Sequence, residues 1–306
     1  MSSPEHRDSG RKAGTGKEDG GGGRAARLAG GDETDRGWIG ELHARYVRLA
    51  KRTTRAVRLT QALLLVLFFA LWEAAGRNGW IDVLLFSYPS KIFSQIASMV
   101  ADGSLFPHLG VTVGETIVGF VLGTVVGTAL AALLWLFSFV SRVLDPYLVV
   151  LNSMPKVALG PVFIVGLGPG FMSIVATTLS ITVIITTLTI YGSFREVDPN
   201  YIKVVRLFGG SKAKVFRLVV LPASYPAIVS TLKVNVGLAW IGVIVGEFLV
   251  AKSGLGYLMI YGFQVFNFTL VLSSLVLIAV VATVMYRLVG YLERLLLGAS
   301  RRSGGR

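Results

Sequence analysis

Long apolar runs separated by short polar segments are the first feature of this chain that predicts structure. A helix that crosses the hydrocarbon core of a membrane needs about 20 predominantly apolar residues. Six stretches approach that length, at residues 59–76, 111–137, 146–167, 171–191, 227–250 and 270–291. The pattern therefore predicts an all-α, polytopic bundle of about six transmembrane helices.

The third of these spans carries residues that change its expected shape. Pro155 and Pro161 interrupt it, and Lys156 lies between them. Proline removes a backbone donor and clashes with the preceding turn, so a broken or kinked helix is expected here. A charged side chain is costly in the middle of a membrane, and Lys156 is therefore expected to reach the cytoplasmic side or to snorkel. Cargo binding is the less favoured alternative.

Glycines recur at helical spacing in the second span. Gly119, Gly123 and Gly127 form a GxxxGxxxG pattern, which presents a smooth stripe along one face of a helix. Such stripes let a neighbouring helix approach closely, although glycine is also common in membrane helices without this role. We favour a helix-packing seam.

Composition and charge agree with a membrane protein. Hydrophobic residues make up 53% of the 306 residues and charged residues 15%, against about 25% charged in ordinary globular domains. The net charge of +13 is concentrated near the termini and between residues 195 and 217, which is typical of cytoplasmic segments and does not indicate nucleic acid. Both termini are therefore predicted to be cytoplasmic, in a multi-pass protein of the cell membrane, which requires an even number of spans.

The predicted domains follow from the same pattern. Residues 1–58 are rich in glycine and charge, so we predict a disordered basic cytoplasmic tail. The first apolar run begins too far along the chain for a cleavable signal peptide. Residues 59–295 form the transmembrane domain, including a cytoplasmic loop at about 195–222, and residues 296–306 form a second cytoplasmic tail.

The cytoplasmic loop between the fourth and fifth spans has a pattern that predicts two short helices. Asp198 is a good N-cap, and Pro199 suits the first helical position. An apolar stripe at helical spacing follows, formed by Tyr201, Val204, Val205 and Phe208. The first helix is expected to end at the glycine pair that follows this stripe.

Gly209 and Gly210 can terminate the first helix, because glycine readily takes the left-handed conformation at a helix end. Ser211 can cap a second, basic helix that is expected to end before Pro222. From this pattern alone, two interpretations remain open. The segment either lies on anionic lipid headgroups or serves as a docking element for another protein.

The same loop resembles a signature of binding-protein-dependent ATP-binding cassette (ABC) importer permeases. Gly209 is followed after nine residues by Val219 and then by Leu221 and Pro222, which matches the glycine, isoleucine and Leu-Pro positions of the family's EAA loop. The departure is at its start, where Lys203, Val204 and Val205 replace Glu-Ala-Ala. The missing acidic residue puts any salt bridge from that position in doubt, but not the helical shape.

Other segments resemble the nitrate, sulfonate and taurine branch of this family, at residues 87–93, 144–168, 195–202 and 237–258. The resemblance implies a permease that works as a dimer, most often of identical chains. Two ATPase subunits carry ATP-Mg and dock on its loops, and an extracytoplasmic solute-binding protein delivers cargo. This chain itself would then be no enzyme and would bind no cofactor. The implied cargo is a small anion such as an aliphatic sulfonate, taurine or nitrate.

The resemblance also implies which residues contact the ATPase. These are Asp198, Lys203, Val204, Val205, Phe208, Gly209, Gly210, Ser211, Leu221 and Pro222. Polar residues within the spans are candidates for the translocation pathway. Asn152, Ser153 and Asn235 either line a polar passage or satisfy neighbouring helices, and Glu247 either lines the pore or supports the turn at 253–256.

Two other classes of function fit the sequence less well. An enzyme is disfavoured because AGTGKE in the tail has Arg11 where a phosphate-binding loop needs glycine. Catalytic and metal-binding sites are not expected, since the chain has no cysteine and His6, His43 and His108 lie outside the predicted spans. An ion-coupled secondary transporter or channel is the alternative, but we find no internal repeat typical of that class.

Overall fold

The computed structural model describes residue 53 and residues 56–303, with side chains described as far as 298. The described chain is built from helices. In chain order they are α1 (Ala56–Arg77), α2 (Val83–Phe86), α3 (Pro89–Ala101), α4 (Leu105–Leu136), α5 (Ser138–Ser153), a 3-10 turn (Lys156–Leu159), α6 (Gly160–Leu167), α7 (Phe171–Arg195), α8 (Pro199–Leu207), α9 (Lys212–Val215), a π turn (Phe216–Val220), α10 (Leu221–Val250), α11 (Leu255–Gln264) and α12 (Phe268–Ser303). The predicted tail at 1–58 lies almost entirely outside the described residues, and α12 continues through 296–303.

The predicted all-α class with about six spans is confirmed. Within the described chain, five helices are long and apolar enough to cross a membrane, and a bent pair of helices makes a sixth. That pair, Ser138–Ser153 with Lys156–Leu167, bends by 96°. Pro155 precedes the 3-10 turn and Pro161 starts α6, so the prolines lie at the break that they predicted.

One predicted boundary is wrong. The second helix of the cytoplasmic loop was expected to end before Pro222, yet residues Lys212–Val250 form one continuous 39-residue helix. The π turn at Phe216–Val220 explains this, because the Leu221 N–H bonds to the Phe216 carbonyl, five residues back. Shifting the hydrogen-bond register just before Pro222 lets the helix continue past a residue that has no N–H.

Contacts divide the chain into two units, residues Met1–Ala70 and Leu71–Arg306. The helical residues 56–70 of the first unit all have exposed side chains. The second unit contains the bundle, in which α7 packs against both α4 and α10. The centre of that bundle is the α4–α7 contact.

The glycine stripe on α4 receives a ridge of threonines from α7. A Cβ atom added to Gly119 would lie 2.5 Å from Cγ2 of Thr178, and Gly123 faces Thr182 in the same way. Gly127 and Thr186 extend this row by one more helical turn. The predicted packing seam is therefore present, with threonine methyls and hydroxyls filling the space where glycine has no side chain.

The threonine ridge is also contacted from α10. A Cβ on Gly242 would lie 2.6 Å from Cα of Thr178, and one on Gly246 would lie 3.0 Å from Cγ2 of Ile174. Hydroxyl groups of the ridge also bond within α7, since Thr182 Oγ1 donates to the Thr178 carbonyl at 2.9 Å. Such i to i−4 bonds satisfy a hydroxyl in an apolar environment. The backbones of α4 and α10 therefore both lie close to α7, because the glycines that face it have no side chain.

Adding one methyl group to this seam should separate the helices. In Gly123→Ala, the new Cβ would lie under 3.0 Å from two atoms of Thr182, whose side chain is fully buried. Overpacking of this kind costs about 1–3 kcal/mol, so we expect a lower thermal midpoint in detergent.

Gly114→Ala on the same helix is the matched control, since its Cβ would meet nothing within 4 Å. Alanine is the better helix former, and this variant should be neutral or more stable. Equal stability of the two variants would contradict the seam.

Candidate functional site

The cytoplasmic hairpin, which we define as residues 198–220, is capped at each of its turns. Asp198 Oδ1 accepts a hydrogen bond from the Asn200 N–H at 2.8 Å. Gly209 has φ +74°, a conformation that suits glycine, and the Gly210 N–H closes the end of α8 on the Val205 carbonyl at 2.9 Å. Ser211 Oγ then accepts from the backbone of the next helix at 3.3 Å. The first helix, the glycine joint and the start of the second helix therefore lie where the sequence predicted them.

The apolar side chains of α8 divide between two faces. Ile202 and Val205 pack against a buried cluster of the bundle. Phe208 is 89% exposed and Leu207 is 85% exposed at the tip of the hairpin. Tyr201 and Val204 from the predicted stripe and Lys203 on α8 are exposed too. The hairpin therefore presents an apolar tip with basic residues around it.

The base of the hairpin is embedded in the bundle. Val215 and Val220 are fully buried. Phe216 lies between two rings, with its centroid 5.4 Å from that of Trp135 on α4 and 5.3 Å from that of Phe194 on α7. Leu221 and Pro222 follow directly as the first residues of α10. The base of the hairpin is therefore part of a close-packed core that includes residues of α4, α7 and α10, and such a core resists deformation.

A polar site lies at the opposite end of α10, around Glu247. Its side chain is 1% exposed. Oε1 accepts from the Thr112 hydroxyl at 2.6 Å, and Oε2 accepts from the Gly256 N–H at 2.6 Å. The Leu255 N–H donates in turn to Thr112 Oγ1 at 2.7 Å. The Glu247 carboxylate is therefore bonded to the turn at 253–256, as one of its two alternatives expects, and its role in the translocation pathway stays a prediction.

Two residues in this site were missed or misplaced from the sequence. Glu115 on α4 is 3% exposed, and its carboxyl group is a neighbour of the Glu247 carboxyl group. The sequence did contain a signal for Glu115, since a carboxylate within an apolar run indicates a buried partner.

His108 was placed outside the spans, but it lies in the first turn of α4, where Nδ1 accepts from the Gly254 N–H at 3.0 Å.

The four predicted pathway residues are not brought together. Asn235 is fully buried between three helices, where its amide donates to Thr124 Oγ1 at 2.8 Å and accepts from Thr186 Oγ1 at 2.9 Å. Asn152 and Ser153 are exposed near the end of α5, whereas Asn235 and Glu247 are buried on α10. Their role in a translocation pathway stays a prediction.

Lys156 lies at the break of the bent span and caps α5. Its Nζ donates to the Asn152 carbonyl at 2.8 Å. A cation at the C-terminal end of a helix interacts favourably with the carbonyl groups that have no partner in the helix. This contact accounts for a charged residue between the two prolines through local structure.

Residues 104–298 match the family described as binding-protein-dependent transport system inner membrane component. The chain belongs to this family. It is a permease subunit of an ABC importer in the inner membrane, and it forms the translocation pathway for a small solute. The family name makes a solute-binding protein a partner, and ABC importers include an ATPase. The ion-coupled alternative finds no support.

Related proteins cover most of the permease. SsuC of Bacillus subtilis, named for aliphatic sulfonates transport, is 27% identical over 85% of this chain and 95% of its own length. The formylaminopyrimidine transport permease ThiX of Halalkalibacterium halodurans is 29% identical over 68% of this chain and 81% of its own length. An inward-facing structure of the MetNI methionine ABC transporter aligns with a TM-score of 0.55, at 20% identity, over 63% of this permease and 95% of that chain. At that identity, the alignment shows the fold.

The turn at Glu247 should be sensitive to a single methyl group. Gly254 has φ +121°, and a Cβ there would lie under 3.0 Å from the carboxyl atoms of Glu247. We expect Gly254→Ala to lower the free energy of unfolding by about 2 kcal/mol or more, because both backbone strain and overpacking act at this position.

Gly103→Ala is the control, because it introduces backbone strain without overpacking. Gly103 has φ +77°, and a Cβ there would meet nothing within 4 Å. Thermal unfolding of the two purified permeases in detergent compares them. A similar loss in both variants would show that the contact with Glu247 does not contribute.

Proposed function

We propose that this permease works as a homodimer with two ATPase subunits, whose own chains bind and hydrolyse ATP-Mg. An extracytoplasmic solute-binding protein delivers the cargo. The cytoplasmic hairpin is the element on which each ATPase subunit docks, and the solute is a small anion such as an aliphatic sulfonate.

The observation that carries the docking role is the contrast between the tip and the base of the hairpin. Phe208 and Leu207 are almost fully exposed, whereas Val215 and Val220 are fully buried. Large apolar side chains held at the end of a rigid, capped element are typical of a surface that another protein covers. A helix lying on lipid would turn its whole apolar face to the membrane, but Ile202 and Val205 of α8 face the bundle instead.

The same arrangement supports a mechanical role. Closure of the ATPase pair would move the docked tip, and the buried base would carry this movement into α4, α7 and α10 as a rigid-body shift. Lys203 stands where the family has an acidic residue, and its side chain is exposed. An ion pair at this position therefore needs a carboxylate on the ATPase, the reverse of the charge order that the family signature implies.

The proposed solute rests on the name of a related permease and not on a binding pocket in this chain. SsuC, named for aliphatic sulfonates transport, covers the chain more fully than ThiX, which is named for a formylaminopyrimidine. A sulfonate group carries one negative charge. Taurine contains the same group, and nitrate is a small anion of the same charge. Selection among these cargoes is expected to depend largely on the solute-binding protein.

Two substitutions at the tip should uncouple the permease from its ATPase. Gly209→Trp adds a bulky side chain at a positive φ, and Phe208→Ala removes an exposed ring. We expect loss of ATPase co-purification and at least a tenfold lower transport rate, with little change in the stability of the isolated permease for Phe208→Ala.

Trp80→Ala is the control, because Trp80 is an exposed aromatic residue (72%) outside the hairpin. Normal assembly and transport with Gly209→Trp and Phe208→Ala would overturn the docking role of the hairpin.

Transport in proteoliposomes with the cognate ATPase and binding protein tests the solute. Radiolabelled aliphatic sulfonate should accumulate only when ATP is supplied on the side of the ATPase, and unlabelled taurine and nitrate should compete. Uptake of a pyrimidine vitamin precursor but no sulfonate would overturn the proposed cargo while leaving the importer function intact.

A further inference from the structure

A basic cleft of about 340 Å³ opens at the cytoplasmic end of the bundle, beside the hairpin. Its walls come from the last turn of α4, the start of α5, the end of α7 and the first residue of α9. Three cations line it, Arg142, Arg195 and Lys212, against a single carboxylate, Asp145. We define these four residues as the basic cleft.

The cations are held in place by neighbouring polar and aromatic groups. Lys212 Nζ donates to Ser138 Oγ at 2.7 Å and lies 5.6 Å from the centre of the Trp135 ring. The Arg142 Nε donates to the Ser138 carbonyl at 3.3 Å. The Arg195 guanidinium lies 5.7 Å from the centre of a tyrosine ring on its own helix. Positively charged groups that are ordered in this way are prepared for a ligand at low entropic cost.

The charges of the cleft are not neutralised within the described chain. Among the described residues, no carboxylate lies within 4.0 Å of a nitrogen of Arg142, Arg195 or Lys212, since the ion pairs found are elsewhere. Three like charges around one small space repel one another unless an anion enters. A phosphate group suits this arrangement, because arginine can donate two parallel hydrogen bonds to it and lysine adds a point charge.

The position of the cleft identifies the source of the phosphate. It lies where the apolar run of α4 ends, and Trp135 is a residue type enriched at the membrane interface. Phe137 (55% exposed) and Phe139 (73% exposed) are the chain neighbours of the cleft residue Ser138 and offer an apolar surface for an acyl chain. Basic pockets between transmembrane helices on the cytoplasmic side are suited to anionic lipid headgroups.

We propose that the basic cleft binds the phosphate of an anionic membrane phospholipid. The lipid would join Arg142 on α5, Arg195 on α7 and Lys212 at the foot of the hairpin, and so fix the hairpin to the membrane-embedded helices. Binding requires neither the ATPase nor the solute, so this proposal stands apart from the proposed cargo and docking roles.

Native mass spectrometry of the full chain in detergent, titrated with phosphatidylglycerol and separately with phosphatidylcholine, tests the proposal. We expect tighter retention of phosphatidylglycerol by the unmodified chain. The double variant Arg142→Gln and Arg195→Gln should weaken that retention at least fivefold and leave phosphatidylcholine unaffected.

The matched control is Arg206→Gln with Arg217→Gln, which removes the same charge from exposed positions of the hairpin outside the cleft. If both double variants weakened phosphatidylglycerol retention equally, net charge alone would account for the effect, and the proposed site would be wrong. Lys212→Gln is the second variant if the first does not fold, and it should weaken retention by a smaller factor.

Two further arms distinguish other ligands. Inorganic phosphate is added at millimolar concentration to the lipid-bound protein, and displacement of phosphatidylglycerol at that concentration would identify a free phosphate as the ligand in place of the lipid. Normal phosphatidylglycerol retention by the cleft variant, together with lost ATPase binding, would identify a protein interface and overturn the proposal.

Discussion

The row of contacts between the glycines of α4 and the threonines of α7 is the constraint on which the rest of the bundle depends. In a membrane, apolar burial does not draw helices together, so close packing and internal hydrogen bonds must do so. Thr178 is enclosed from both sides, by Gly119 of α4 and Gly242 of α10. This spacing is what brings Asn235 within reach of Thr124 and Thr186.

The contacts at the two ends of the bundle are consequences of the same spacing. At one end, Glu247 reaches Thr112 on α4 and the turn before α11, because α4 and α10 run side by side. At the other end, Phe216 fits between Trp135 and Phe194. Long helices therefore connect a turn on the extracytoplasmic side to the hairpin on the cytoplasmic side. A rigid connection of this kind would carry the proposed movement of the hairpin along the spans.

The hairpin illustrates how a local irregularity supports that connection. Pro222 would end a regular helix, but the π turn before it shifts the hydrogen-bond register and keeps α9 and α10 continuous. The hairpin whose tip is proposed to meet the ATPase therefore runs without a break into the span that crosses the membrane. The basic cleft lies at the foot of this helix and shares Lys212 with it.

The sequence by itself determined the class of the protein, the number of spans, the break at Pro155 and the glycine joint of the hairpin. These features depend on local composition and spacing, which a linear pattern records. Only the tertiary structure decided which groups the buried polar residues contact. Glu115, Asn235 and Glu247 are separated along the chain, and their partners are defined by the register between α4, α7 and α10. That register arises from side-chain packing between helices, which periodicity along one helix does not specify.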